Sequence, residues 1–459
     1  MGLKLKFLKY SLILSAVIVF NGLTSLAQIA NLNGSWEGKL MLNPEVGLRL
    51  VINITGAGGE EAVVTMDSPD QGAYGIPMKI DYLSLDSLNV TVPQLTLKYK
   101  GKLCGDSIKG DFSQGPLNLP LILRSKVTSL KRPQTPEPPF PYLTEEISFP
   151  SSLDNATLYG TLSSPDKDVS HTTAVLLVSG SGTQNRDEEI FEHKPFAVIA
   201  DYLARNGIAS LRYDDRGFDK STGLSPNPTT HENTMDAIGG VKFLKDRGFS
   251  KVGIIGHSEG GLIADKVANS GNLIDFIIEL GGPAVPGDSI LVFQNEFLLK
   301  DGGMPEEYIS MYIDAMKGMF ESQKDDNSGT FDEKEYAIFS PENLSNPVLE
   351  PLANNLRTNF SDLAPWIIYF INYDPITDLK NISIPIFMIY GENDTQVPPA
   401  LNVPVLRKNI PGINIKVYPE LNHLMQHSKS GKVTEYAEIE ETISPEVLED
   451  IKQFILSLN

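Results

Sequence analysis

Residues Gly256-His257-Ser258-Glu259-Gly260 set a serine between two glycines, directly after the apolar run Val252 to Ile255 and directly before Gly261-Leu262-Ile263-Ala264. A serine hydroxyl is a weak nucleophile until a base takes its proton, and the base needs a carboxylate to hold its tautomer and stabilise the imidazolium. Two downstream runs supply these. Ile384 to Tyr390 leads into Gly391-Glu392-Asn393-Asp394-Thr395-Gln396-Val397-Pro398, and Ile413 to Tyr418 leads into Pro419-Glu420-Leu421-Asn422-His423. The order Ser258, Asp394, His423, each just past an apolar run, fits acyl transfer through a serine nucleophile. Glu392 competes with Asp394 for the role of acid. His427 competes with His423 for the role of base, and lies on the same face if that stretch is helical.

Acyl transfer also needs donors aimed at the developing oxyanion. One is the backbone N–H of Glu259, next after the nucleophile. The other falls in the glycine-rich turn Ser179-Gly180-Ser181-Gly182-Thr183, where the backbone of Ser181 is the expected donor. The His423/His427 spacing is also half of a metal site, but no H-E-x-x-H and no third ligand pattern accompany it, so neither a metal nor a cofactor is expected. The other histidines, His171, His193, His231 and His257, read as surface or packing residues.

These groups must be carried by strands and helices. From residue 144 to residue 459, apolar β-branched runs alternate with stretches of helical period, the mark of a mostly parallel sheet flanked by helices. Strands are expected at Thr173 to Val178, Ala209 to Tyr213, Val252 to Gly256, Phe276 to Leu280, Ile384 to Tyr390 and Ile413 to Tyr418. Helices are expected near Pro195 to Arg205, Met235 to Asp246, Gly261 to Ala268, Pro399 to Arg407 and Pro445 to Leu456. Residues 283–379 are too many for a simple crossover and carry further helical periodicity, so they read as an inserted helical cap.

Upstream the pattern is different. Residues 28–130 hold short alternating runs such as Gly47 to Ile54 between turn signals such as Gly56-Ala57-Gly58-Gly59, which predicts a small antiparallel β domain, sandwich or barrel. Residues 131–143, with five prolines from Pro133 to Pro141, read as the linker. Residues 1–27 read as a secretory signal peptide: Lys4, Lys6 and Lys9, an apolar stretch from Leu12 to Phe20, then Ser25-Leu26-Ala27. That apolar stretch is shorter than the roughly 20 residues that span a bilayer. A processed protein without a transmembrane anchor, secreted or periplasmic, is the expectation. Gln28, not a cysteine, stands directly after the cleavage point, which argues against a lipoprotein.

The length of 459 residues exceeds what one hydrophobic core usually serves. The formal charge is −20, and −23 once the three lysines of residues 1–27 are removed, so nucleic acid is a poor partner. Cys104 is the only cysteine, which excludes an intrachain disulfide; it reads as a packing residue.

Five motifs in order resemble the α/β-hydrolase superfamily: Ser179-Gly180-Ser181-Gly182 with Asn185-Arg186-Asp187, Arg212-Tyr213-Asp214-Asp215-Arg216-Gly217, the Ser258 pentapeptide, Gly391 to Pro398, and Asn422-His423. Within it the chain is similar to secreted bacterial EstD-like esterases, close to the serine aminopeptidase and dienelactone-hydrolase-like groups. Where those proteins usually open the oxyanion loop with a histidine, Ser179 stands here. The resemblance implies an α/β-hydrolase fold and a serine esterase acting on small carboxylic esters with short acyl groups. A serine exopeptidase with the same triad is the second reading. The third is a non-catalytic secreted binding protein, in which the β domain contacts glycan or lipid.

Overall fold

The computed structural model describes residues 32–42, 47–57, 62–84, 86–115, 117–125, 130–169, 172–223, 228–324, 331–360 and 363–458. The signal peptide expected at 1–27, the Gly58-Gly59 part of a turn and His171 lie outside the described residues. The chain divides into two compact units.

In the first unit, period-two alternation gives eight antiparallel strands from β1 (Gly34–Met41) to β8 (Leu117–Arg124), each paired with the next in sequence. Glu37 of β1 opposite Arg124 of β8 closes the ring, so of the two architectures read from the sequence the chain adopts the barrel. The inward residues, among them Trp36, Ile52, Val90, Tyr99, Ile108 and Leu123, form one buried apolar cluster. Strand β6 (Leu97–Cys104) turns into β7 (Ser107–Gln114) through Gly105-Asp106, where Gly105 has φ 68° as a two-residue primed turn requires. Cys104, expected to pack, is exposed at this turn: it ends a strand, where alternation no longer forces burial. Two distant segments, Glu189–Lys194 and Val433–Glu440, group with the barrel. Tyr74 donates to Glu189 at 2.8 Å, and Arg49 pairs with both Asp70 and Glu192. Both segments fall inside the stretch 144–459 drawn from the sequence, and a linear reading carries no signal of segments that leave one unit and return.

The second unit is built on an eight-stranded sheet in the order β16-β15-β14-β13-β11-β12-β10-β9. Strands β11 (Thr173–Val178), β12 (Ala209–Tyr213), β13 (Lys251–His257), β14 (Phe276–Leu280), β15 (Ile386–Gly391) and β16 (Asn414–Tyr418) run parallel. β9 (Leu143–Pro150) and β10 (Thr157–Ser164) add an antiparallel edge that the sequence reading did not include. Their half-polar sequences, LTEEISFP and TLYGTLSS, carry little apolar signal. Helices α1 (Pro195–Arg205), α2 (Thr230–Asp246), α3 (Glu259–Asn269) and α9 (Pro399–Asn409) belong to the crossovers, and α10 (Pro445–Ser457) follows the last strand. α2 opens with a capping box between Thr229 and Glu232.

Between β14 and β15 stands the inserted cap: α4 (Gly287–Asp301), α5 (Glu306–Ser322), α6 (Leu349–Phe360), α7 (Pro365–Asn372) and α8 (Pro375–Leu379). It has its own core of Tyr312, Met316, Phe320, Ile338, Leu349 and Leu356, which is why it can fold as an insertion without disturbing the sheet. Among the described residues no helix is long and apolar enough to cross a membrane.

Candidate active site

Ser258 joins β13 to α3 with φ 53° and ψ −120°, a conformation that costs an L-residue about 1–3 kcal/mol. The turn is so tight that a Cβ on Gly256 would stand 2.1 Å from the Gly260 carbonyl oxygen, and one on Gly260 would stand 2.1 Å from that of Val178. Only glycine fits either place. The Ser258 amide donates to the Leu280 carbonyl at 2.9 Å, which ties the turn to the end of β14. Its side chain is half-buried.

Asp394 follows β15 and His423 follows β16. His423 Nδ1 lies 2.7 Å from Asp394 Oδ2, with both residues buried. The amides of Gln396 and Val397 donate to Asp394 Oδ1, each at 2.8 Å. A proton on Nδ1, held by the carboxylate, leaves Nε2 as the basic nitrogen. Gly281, next after the residue that receives the Ser258 amide, lies against the same pair: a Cβ there would be 3.1 Å from the His423 ring and 3.3 Å from Asp394 Oδ2. The end of β14 thus brings Ser258, His423 and Asp394 together. The Ser258 hydroxyl makes no hydrogen bond to His423; such contacts often close only around substrate.

The competitors stand elsewhere. Glu392 is exposed. His427 is half exposed and bonds Glu441 at 2.8 Å. The stretch from 421 to 427 is a tight loop bridged at its ends, not a helix, so the two histidines do not share a helical face.

Glu259 opens α3, where first-turn amides have no partner inside the helix. The turn after β11 passes against Ser258: a Cβ on Gly180 would stand 3.1 Å from Ser258 Cβ. The Gly180 amide donates to Glu188 Oε1 at 2.6 Å, and Ser181, next in line, is exposed. The Ser179 hydroxyl holds Asp215 at 3.0 Å and so anchors the loop from below. The other motif residues form a framework: Arg186 pairs with Asp214, Arg212 with Asp187, and fully buried Arg216 with Asp236.

Three buried polar arrangements escaped the sequence reading. The Glu259 carboxylate, its pKa raised by burial, accepts from Thr230 Oγ1 at 2.6 Å and from Trp366 Nε1 of α7 at 2.9 Å, which fastens the cap beside Ser258. His257, read as a surface or packing residue, is buried; its Nδ1 lies 2.8 Å from Glu188 Oε1 and its Nε2 lies 3.0 Å from the His423 carbonyl oxygen. Asp265 of α3 and Glu279 of β14 are buried against each other. The glutamate after Ser258 and the histidine before it are visible in the sequence, but their partners are 29 to 166 residues away with no periodic signal. Buried His193 packs as expected, with its pKa pushed down to about 4 by burial. Among the described residues no cluster of three or more His, Cys, Asp or Glu could hold a metal.

A serine at a strand-to-helix turn on the central strand, with an aspartate and a histidine on the loops after the next parallel strands, fits an α/β-hydrolase architecture. Residues 175–435 match the alpha/beta hydrolase family, and the chain belongs to that family. Esterase EstD of Thermotoga maritima is 28% identical over 265 residues, a stretch that makes up 57% of this chain and 56% of that protein. Among solved structures, an esterase from Pyrococcus furiosus aligns at 17% identity with a TM-score of 0.42, covering 72% of this chain and 98% of that one. Est1E from Butyrivibrio proteoclasticus, with ferulic acid bound, aligns at 17% identity and a TM-score of 0.42, covering 68% and 98% respectively.

Proposed function

We propose that this chain is a serine hydrolase of carboxylic esters. The observation that carries the reading is the conjunction of a left-handed Ser258 at a strand-to-helix turn with the buried 2.7 Å pair of His423 and Asp394. His423 Nε2 takes the Ser258 proton as Oγ bonds the ester carbonyl carbon, and the amides of Glu259 and Ser181 receive the oxyanion. The imidazolium then returns the proton to the alcohol oxygen as the C–O bond breaks, which leaves Ser258 acylated. Water, deprotonated by the same nitrogen, releases the acid and restores the serine.

The likeness to Esterase EstD favours an ester over an amide bond, and the cap over the sheet favours small substrates with short acyl groups. The leader-like residues 1–27 support action outside the cytoplasm. Contact of the barrel with glycan or lipid remains part of this proposal; the apolar packing of its interior directs any such contact to the outer surface.

Fluorophosphonate labelling followed by mass spectrometry tests the nucleophile. Labelling at Ser258, abolished in Ser258→Ala, is the expected result, and folded protein that takes no label refutes the reading. p-Nitrophenyl acetate and butyrate assayed beside aminoacyl-nitroanilides test the bond: turnover confined to the anilides replaces the esterase by an exopeptidase.

A further inference from the structure

His257 and Glu188 take no part in the chemistry just described, yet both are buried and lie within ion-pair distance of each other. One nitrogen of the His257 ring faces a carboxylate oxygen and the other a backbone carbonyl oxygen, and neither oxygen can donate. Filling both bonds requires protons on both nitrogens, which makes the ring a cation. Glu188 Oε1 serves twice, accepting from His257 and from the Gly180 amide. Each end of this arrangement touches a different catalytic segment. Gly180 precedes Ser181, His257 precedes Ser258, and the acceptor carbonyl belongs to His423 itself.

We propose that His257 and Glu188 are positioning residues: a buried ion pair that fixes the oxyanion loop, the nucleophile turn and the base loop relative to one another. The inference rests on the Ser258 reading above. A bare packing role fits poorly, because burying two charges costs more than filling the same space with apolar side chains. The walls around the pair are already apolar, among them Phe196, Ile199, Leu280 and Met425.

The groups that face His257 are the Glu188 carboxylate, the His423 carbonyl and ring, with ring centroids 4.6 Å apart, and Asp394 behind that ring. Burial alone pushes the His257 pKa down, but Glu188, the bond to His423 and the charge of Asp394 more than offset it and hold it above the ordinary histidine value. The brace is therefore complete below the ordinary value and is lost as pH rises through the raised one.

The test uses the whole chain and four variants, His257→Ala, His257→Gln, Glu188→Gln and Ser258→Ala. The readouts are the rate of fluorophosphonate labelling, kcat and KM on p-nitrophenyl butyrate, and the pH profile of each. In His257→Ala the labelling rate and kcat fall together by roughly 100-fold, while KM changes less than about threefold, since misplacement of reacting groups acts on the transition state. Glu188→Gln keeps an acceptor oxygen but no charge; it lowers kcat by roughly tenfold and moves the alkaline decline of activity to lower pH. In His257→Gln that alkaline limb disappears.

Folded His257 variants that label at the wild-type rate, or whose effect falls on KM alone, overturn the inference, as does an alkaline limb unmoved in Glu188→Gln. If His257→Ala does not fold, Glu188→Gln and the wild-type profile decide. Wild-type protein that is not labelled at Ser258 removes the reading beneath the inference, whereas labelled wild type with unaffected variants removes the inference only.

Discussion

Two sets of buried carboxyl groups in the second unit are treated in opposite ways. Asp394 has three donors within 2.8 Å: the His423 ring and the amides of Gln396 and Val397. Asp265 and Glu279, equally buried, have no such donors and turn to one another. Glu279 leaves so little space that a Cβ on Gly282 would stand 2.0 Å from its carboxyl oxygen. Burial raises the pKa of both, Asp265 well above the carboxylate range and Glu279 to about 8. A carboxyl placed among donors serves a charged partner, while one without them keeps its proton and becomes part of the scaffold. Glu259 stands between the two, with a hydroxyl and an indole N–H as its donors.

The largest effects belong to the donor-rich side. Ser258→Ala and His423→Ala are each expected to lower kcat by roughly 10⁶-fold, and Asp394→Asn by about 10⁴-fold, with melting temperatures little changed. Steady-state kinetics beside thermal melts check this, and a tenfold loss in Asp394→Asn would erase the contrast.

Next comes Glu279→Gln. Because the folded-state pKa is raised from 4.5 to about 8, the folded chain holds a proton that the unfolded chain releases. Wild-type stability therefore declines as pH climbs above the ordinary carboxylate range. Glutamine cannot ionise, so the variant should lose that slope and outlast the wild type at pH 8. Identical melting curves across pH would show that the pair is not protonated.

Trp366→Phe removes one donor from Glu259 and should cost about 1–3 kcal/mol in chemical denaturation. His427→Ala, at a half-exposed imidazole outside both sets, should leave kcat within about twofold; a large loss would reopen the choice of base.

Much of the sheet was legible from the sequence. β11, β12, β14 and α1 fall where apolar runs and helical period put them, because fully buried strands and amphipathic helices write their burial directly into residue order. Ser258 with its flanking glycines was legible for a related reason: steric demands at a tight turn leave few residue choices. Closure of the barrel was not, since alternation records which face is buried and not which strands meet. Nor was the role of His257, for a single histidine in an apolar run has the same local signature whether it packs or bridges. Its bonds to Glu188 and His423 exist only once three remote loops converge.

The meander of the barrel has a consequence for how the molecule is made. Every pairing from β1 to β8 joins neighbours in sequence except the final closure, whereas the order β13-β11-β12-β10 of the larger sheet requires distant segments to find each other. Low contact order speeds folding, and the barrel strands leave the ribosome first. Refolding from denaturant should therefore show a fast barrel phase followed by a slower one in which the parallel sheet, and with it the activity, appears.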